Sequence, residues 1–426
     1  MIRDVVIASG IRTPFCKAGS VLSGLPAQEL GRMVARECLE RSAVGAEVID
    51  HVVIGNVGSP ADATNIARVI AFKAGIPARV PALTVNRNCA SGIEAIATAA
   101  RLVSTGEAKL VLAGGAESMS QLPLLFGEEA KGLFAGMARA KTLGQRAAIA
   151  TRFRPRHLAP VIALEVGLTD ALSGLNMGET AEVLAKEWKI SREAQDQFAL
   201  MSHERAVAAR PLLAEEIVPV YVPPAFKTVV SEDVGPRPEQ SIAALGKLRP
   251  YFDRRFGTVT AGNSCGITDG AAACLVTTSM RAAELGLPVL GRLRAYAAVG
   301  LDPRRMGLGP AYATPIALEQ AHVTFRDIEL IEINEAFAAQ VIANEAAFAS
   351  AAFASTELGR ASPIGEIDRD RLNVNGGAIA LGHPVGATGA RLVITILHEM
   401  RRRGAALGLV ALCVGGGQGV AMVLER

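Results

Sequence analysis

The chain has 426 residues, half of them hydrophobic and 20% charged, and a net charge of +3. That length exceeds one core and implies two or three domains, while the mild charge excludes a nucleic-acid binder. No apolar run reaches the roughly 18 residues needed to cross a membrane. The start, Met1–Ile7, reads as a first strand and not as a signal peptide. Six cysteines without framework spacing predict free thiols in a reducing, cytoplasmic setting. The six histidines are scattered and no CxxC or HExxH spacing occurs, so no metal site is expected.

Strand and helix patterns alternate along most of the chain. Val5–Ala8 and Val52–Gly55 read as strands. Ile93, Ile96, Ala97 and Ala100 mark one face of a helix over Ala90–Val103, closed by Gly106. A buried strand, Lys109–Ala113, then ends in Gly114-Gly115. Residues 121–249 break the rhythm with Pro-rich turns, a charged helix around Ser191–Ala209 and the polar stretch Ser231–Gln240, as expected of a lid or loop domain. Within it, seven basic residues between Glu128 and Arg156 stand against two acids, interleaved with Leu133, Phe134, Met137, Leu143, Ile149 and Phe153. This segment reads either as a solvated helical hairpin or as an amphipathic surface for anionic lipid or a partner subunit. Further on, the turn 386–389 opens a helix whose last turn holds Arg401, Arg402 and Arg403, with Gly404 as the stop. A buried strand follows, ending at Cys413 and Gly415-Gly416-Gly417. The interval from Cys89 to Gly114 is close to that from Gly389 to Gly415, so the chain reads as a duplication of two α/β halves that share a cleft.

Three residues carry chemistry. Cys89 lies in Asn88-Cys89-Ala90-Ser91-Gly92 ahead of a helix, where backbone N–H groups and the positive helix end favour a thiolate. His383, in Gly382-His383-Pro384, is the candidate base, and Cys413 a second thiol able to move a proton to or from carbon. The N–H groups of Cys89 and Gly415 are candidates for an oxyanion hole. Asn334, in Glu332-Ile333-Asn334-Glu335-Ala336-Phe337, either positions a water or caps a helix. Glu117 reads equally as a first-turn acid or as a site-organising residue. Cys16, Cys38 and Cys274 read as buried small apolar residues, and His51, His203, His322 and His398 as surface or capping residues.

Together these motifs resemble the thiolase family over nearly the whole chain: Ile11-Arg12-Thr13-Pro14-Phe15, Asn88-Cys89-Ala90-Ser91-Gly92, Gly257–Ser264, Asn334-Glu335-Ala336-Phe337, Gly382-His383-Pro384 and Cys413-Val414-Gly415-Gly416-Gly417, in that order. The resemblance implies an α/β fold of duplicated βαβαβαββ halves in α-β-α-β-α layers, with a loop domain inserted in the first half. The expected division is 1–120 plus 250–282 for the first half, 121–249 for the loop domain and 283–426 for the second half. It also implies that Cys89 is acylated, His383 activates it, Cys413 is the acid/base at the substrate α-carbon, and Asn334 holds a water that joins His383 in one oxyanion hole. Met177, Ala261, Ser264 and Cys265 are then the expected contacts to substrate and coenzyme A, which acts as substrate with no separate cofactor. Cys265 departs from the family, where many relatives carry Ser.

The implied reaction is thiolytic cleavage of 3-ketoacyl-CoA, or the reverse Claisen condensation. The segment 152–160, with Gly307–Pro315 and Leu358–Asp368, is similar to the thiolase subunit of fatty-acid oxidation trifunctional complexes. That similarity implies a hydratase/dehydrogenase α subunit as partner and peripheral membrane contact through 128–156. Asn334, Gly167–Ala171 and Asn373–Gly377 are instead similar to short-chain acetoacetyl-CoA thiolases. A homodimer or homotetramer is expected. A decarboxylating ketosynthase is disfavoured because that chemistry needs no second thiol, and a non-catalytic lipid-binding or scaffold relative because Cys89, His383 and Cys413 are all intact.

Overall fold

A computed structural model describes residues 4–426; positions 1–3 of the first expected strand lie outside the described residues. The first half runs β1 (Val5–Arg12), α1 (Ala27–Arg41), β2 (His51–Gly55), α2 (Ile66–Lys73), β3 (Ala82–Val85), α3 (Ser91–Thr105) and β4 (Leu110–Ser118). The chain then leaves the sheet through α4 (Glu128–Arg139), α5 (Leu143–Ala150), α6 (Met177–Glu187) and α7 (Arg192–Ala208), and returns as β5 (Thr268–Thr278). The second half follows the same path, with only a single bridge, Ile331–Leu372, where β3 stands in the first: β6 (Val289–Gly300), α8 (Gly309–Ala321), β7 (Leu330–Ile333), α9 (Ala338–Ala349), α10 (Val385–Arg403), β8 (Leu407–Val414) and β9 (Gln418–Glu425).

The strands form one continuous sheet in the order β7-β8-β9-β6-β1-β5-β4-β2-β3. Outward from the antiparallel β1·β6 seam, where Val6 faces Arg292, both halves present the same order of antiparallel then parallel neighbours. The duplication read from spacing is thus a real repeat of chain path. Period-2 alternation sorts the strand side chains onto two faces. Leu110, Leu112, Ala273 and Leu275 pack on Leu30, Val34, Ile66 and Ile70 of α1 and α2. Val111, Ala113, Val276, Val410, Leu412 and Met422 face a shared centre filled by Ile93 and Ile96 of α3 and Val393, Ile396 and Leu397 of α10. Leu409, Ala411 and Val423 face Ala317 of α8 and Val341 and Phe348 of α9. These three cores fill the four gaps of an α-β-α-β-α stack, the central one spanning both sides of the α3 and α10 layer. Each fully buried aliphatic side chain in them contributes roughly 1.5–3 kcal/mol.

Two local readings are corrected by packing. The glycines at 114–115 do not end a strand; β4 runs through them to Ser118. A Cβ on Gly115 would collide with the backbone of Gly386, so these positions are small because α10 presses on the strand. Likewise residues 386–389 are not a turn before the helix but its first turn, since α10 begins at Val385. A Cβ on Gly92 would lie 2.7 Å from Ala390 N, and one on Gly389 2.5 Å from Ile93 N. The two central helices therefore meet backbone to backbone at their N-terminal ends. His203, expected at the surface, is 4% exposed and accepts from Arg237 N at 3.3 Å.

The excursion is tied down by the Ile-Arg-Thr-Pro-Phe motif. Buried Arg12 gives Nε to Glu216 at 2.6 Å and both terminal nitrogens to Asp233 at 2.7 and 2.8 Å. By contrast α5 buries no side chain, and Leu124, Leu143, Leu158 and Leu172 are exposed.

Candidate active site

Cys89 sits two residues before α3, in a turn closed by Ala90 N to Arg87 O and Ser91 N to Asn88 O. Asn88 holds a left-handed φ of 43°, a conformation Asn tolerates better than most residues. The turn faces the β8–β9 hairpin of the other half. Asn88 Nδ2 donates to Gly415 O at 2.8 Å, and Arg87 Nη1 donates to Gln418 Oε1 at 2.8 Å. Burial raises the Cys89 thiol above its ordinary value, partly offset by hydrogen bonds from the backbone of Gly415 and of Cys89 itself. Those two N–H groups are the pair expected to form an oxyanion hole, and they already converge on sulfur.

Cys413 lies within β8, opposite Gly419, and is 1% exposed. It packs with Phe337, Ala336, Met306 and Val259, and Met177 and Phe252 lean on this cluster. Burial lifts its thiol far up, and the charges of Cys89 and Cys265 add to the lift. Cys265 is pushed up to about 12 by burial and by Cys89. Cys413 packs on Ala336, whose carbonyl takes the Cys265 N–H, and Gly415, two residues on, is bonded to the Cys89 turn, so the three thiols converge although they are far apart in sequence.

His383 enters through the strand-like segment 264–267. Its N–H donates to Gly266 O at 3.0 Å beside an Ile267–His383 bridge, while Cys265 N donates to Ala336 O at 3.0 Å and Ser264 bridges Phe337. One short segment thus threads the His383 turn to the 334–337 turn. The His383 Nδ1 lies 2.6 Å from Thr388 Oγ1, and Thr388 Oγ1 donates to Pro384 O at 3.2 Å. With its one proton committed to that carbonyl, Thr388 accepts from Nδ1–H, which leaves the lone pair on Nε2. Nε2 is buried and unpartnered. Burial, with Arg391 adding, drops His383 to about 4, so it is neutral and ready to accept a proton. Sequence reasoning missed Thr388; its signal was a hydroxyl one helical turn past His383.

Asn334 is fully buried and neither side-chain polar atom has a partner, although its N–H continues the β7·β8 ladder to Ala411 O at 3.0 Å. The helix that follows is capped at Phe337, so the capping reading of Asn334 fails. A buried, unsatisfied amide costs about 1–3 kcal/mol and calls for a ligand or water. Its neighbour Glu335 is fully engaged by Ser202 Oγ at 2.6 Å, Asn373 Nδ2 at 2.8 Å and Ile379 N at 3.1 Å.

Glu117 resolves as a site-organising residue. Its carboxylate accepts from Asn56 Nδ2, Val57 N, Gly58 N and Gly386 N at 2.9–3.0 Å. It pins the first turn of α10, just after His383, to the first half. Burial still lifts it to about 7. Of the other expected contacts, Met177 starts α6 with Sδ 3.2 Å from where a Cβ on Gly415 would sit. Ser264 is 8% exposed and gives its hydroxyl to Thr260 O at 2.6 Å, whereas Ala261 is exposed. Among the described residues no cluster of three His, Cys, Asp or Glu could hold a metal, and no helix is long and apolar enough to cross a membrane.

Fold and sequence together define the class. Residues 5–280 match the thiolase N-terminal domain and residues 287–426 the thiolase C-terminal domain. The chain belongs to the thiolase family and is an acyltransferase. It is 45% identical over 424 residues to a 3-ketoacyl-CoA thiolase of Enterobacter sp. (strain 638), covering 99% of this chain and 96% of that one. Two solved structures superpose on nearly its full length. A Bacillus anthracis acetyl-CoA acetyltransferase has a TM-score of 0.86 at 36% identity, covering 99% of this chain and 98% of that one. The human mitochondrial 3-ketoacyl-CoA thiolase in complex with CoA has a TM-score of 0.85 at 35% identity, covering 100% and 98%.

Proposed function

We propose that the protein cleaves 3-ketoacyl-CoA with coenzyme A to acetyl-CoA and a shortened acyl-CoA, and also runs the reverse condensation. The observation that carries this reading is the state of the four polar groups. Cys89 and His383 are both neutral, Nε2 is free, Cys413 is a protonated thiol, and N–H groups already point at the attacking sulfur. Cys89 passes its proton to His383 Nε2 as sulfur attacks the 3-keto carbon, whose oxyanion is held by preorganised donors. The C–C bond breaks, and Cys413 protonates the departing acetyl-CoA enolate. The incoming CoA thiol gives its proton to the Cys413 thiolate and takes the acyl group from Cys89, which recovers its proton from His383. The neutral resting pair agrees with the thiol being raised and the imidazole lowered. The Asn334 amide and Nε2 are suited to hold a water and the thioester oxygen between them. Met177, Ala261, Ser264 and Cys265 line the approach of the pantetheine arm.

The decisive experiment measures thiolysis against ketoacyl chain length from four to sixteen carbons. Activity rising above the four-carbon substrate supports the 3-ketoacyl-CoA reading. Activity confined to acetoacetyl-CoA supports the second reading, an acetyl-CoA acetyltransferase, which Asn334 and the similarity to the Bacillus anthracis enzyme favour. No thiolysis of any ketoacyl-CoA refutes both.

We place the protein in the cytoplasm, since all six cysteines are free. We further assign it a homo-oligomer through β3, whose outer side is an unpaired sheet edge carrying exposed Leu83. Light scattering at micromolar concentration that finds only monomer overturns that assignment. The exposed apolar residues beside Arg152, Arg154 and Arg156 suit an anionic membrane in preference to a solvated hairpin, and leave the same face open to a hydratase/dehydrogenase subunit. Salt-sensitive liposome binding, lost when the three arginines become Glu, is the expected result.

A further inference from the structure

The aim of the Gly415 N–H depends on the backbone on both sides of Gly415: the peptide before it ends β8, and the peptide after it, Gly415–Gly416, meets two residues outside the reacting set. Asn88 Nδ2 donates to Gly415 O at 2.8 Å. The next residue, Gly416, lies beside the Asp170 carboxylate, and its amide helps hold that carboxylate below its ordinary value, against burial. A Cβ built on Gly416 would lie 3.8 Å from Asn88 Nδ2 and 4.0 Å from Asp170 Oδ2, and Gly416 has φ +85°. Gly415 C=O and Gly416 N–H belong to one peptide plane. That plane is therefore hydrogen-bonded from the nucleophile turn on one side and lies against the carboxylate of the excursion on the other.

Asp170 is itself built into a tight loop. Its Oδ1 accepts from Leu172 N at 2.9 Å, Ser173 N at 2.7 Å and Ser173 Oγ at 3.1 Å, which leaves Oδ2 for Gly416. The loop closes through Gly174 N to Asp170 O and Asp170 N to Leu175 O, both 2.8 Å, and Met177 N to Leu168 O at 2.9 Å. It delivers Met177 against Gly415. On the donor side, Asn88 is held in the left-handed region, a conformation that persists where surroundings over-determine it and that clusters at active sites.

We propose that Asn88 and Asp170 are positioning residues that clamp the Gly415–Gly416 peptide from opposite sides, so that loop 168–177 of the excursion sets the aim of the Gly415 N–H onto the oxygen of the Cys89 acyl group. The inference rests on the Cys89 acyl-enzyme of the proposed function. An N–H displaced by about 1 Å forfeits on the order of 10²-fold in rate, and the loss falls on kcat with KM for coenzyme A little changed.

The test is isotope-edited infrared spectroscopy of the acyl-enzyme formed with [1-¹³C]acetyl-CoA. Asp170→Asn keeps an oxygen for the 172–173 turn and puts an NH₂ opposite Gly416 N–H. Asn88→Gly keeps the left-handed backbone and removes the amide. Both should raise the thioester carbonyl frequency and lower kcat. If wild type forms the labelled thioester and both variants show its frequency and kcat, the clamp is refuted while the acyl-enzyme stands. Should wild type form no adduct on Cys89, the functional reading itself fails. If one variant loses cooperative melting, the other decides by the same two readouts.

Discussion

The two halves share a chain path and differ in what they place at equivalent ends. In the first, the turn ahead of α3 presents a thiol. In the second, the turn ahead of α10 presents an imidazole whose tautomer is fixed inside its own helix by Thr388. At the ends of β4 and β8 the divergence continues. The first half carries Glu117, whose carboxylate is consumed by four structural donors, and the second carries Cys413, whose thiol has apolar neighbours. The β4–β5 connection has opened into the whole excursion, while β8–β9 is still a tight glycine hairpin whose Gly415 amide serves the Cys89 sulfur. The duplication supplied two similar helix starts, pressed together through Gly92 and Gly389. Divided use of those starts sets a thiol against an imidazole, the nucleophile and base of the proposed reaction.

Removing the first half's contribution should have the largest effect. Cys89→Ala is expected to abolish the acyl adduct seen by intact mass spectrometry and to lower turnover by at least about 10⁴-fold; an adduct that persists on Cys265 or Cys413 would move the nucleophile. Cys413→Ser separates the roles within the second half. It should lose on the order of 10²–10⁴-fold in turnover while acetyl-CoA still acylates Cys89, and loss of both in a folded protein would contradict the division of labour. Thr388→Val keeps the shape of the α10 turn and frees the imidazole tautomer. A fall of roughly tenfold in acylation rate, the worth of about one hydrogen bond, is expected in stopped-flow measurements with the melting temperature nearly unchanged.

Two further outcomes follow from protonation. Because Cys89 is raised and His383 lowered, iodoacetamide should alkylate Cys89 at a rate that climbs with pH through neutrality and beyond. A plateau from mildly acidic pH would mean a thiolate–imidazolium pair at rest. The smallest effect is on stability. The folded His383 value of about 4 lies below the ordinary 6.5, so between those values the unfolded chain binds more protons and this residue's contribution falls as pH drops. Glu117, lifted from 4.5 to about 7, acts in the opposite sense: its contribution is full below 4.5 and is lost as pH rises to 7. Urea titrations of wild type and His383→Asn should therefore converge or cross as pH falls from 6.5 toward 4, and a difference independent of pH would contradict the buried neutral imidazole.

The two thiols and the imidazole of the proposed reaction stood out in the chain because each lies in a short motif whose small residues make poor core packing. The duplication was legible too, since a repeated spacing of helix, strand and glycine turn is a property of sequence. Strand limits were not. Gly114-Gly115 and 386–389 looked like turns because glycine usually marks them, and only the close contact of α10 with β4 and α3 shows that they are small for lack of room. The Asn334 reading was open until its unpaired amide was seen away from any helix cap. Sequence also could not bring Thr388 to His383, Asp170 to Gly416, or Glu117 to Gly386. Those pairings depend on contacts of fixed length and direction, whereas the sequence records only the order of residues, and their distances are set once both halves and the excursion have packed.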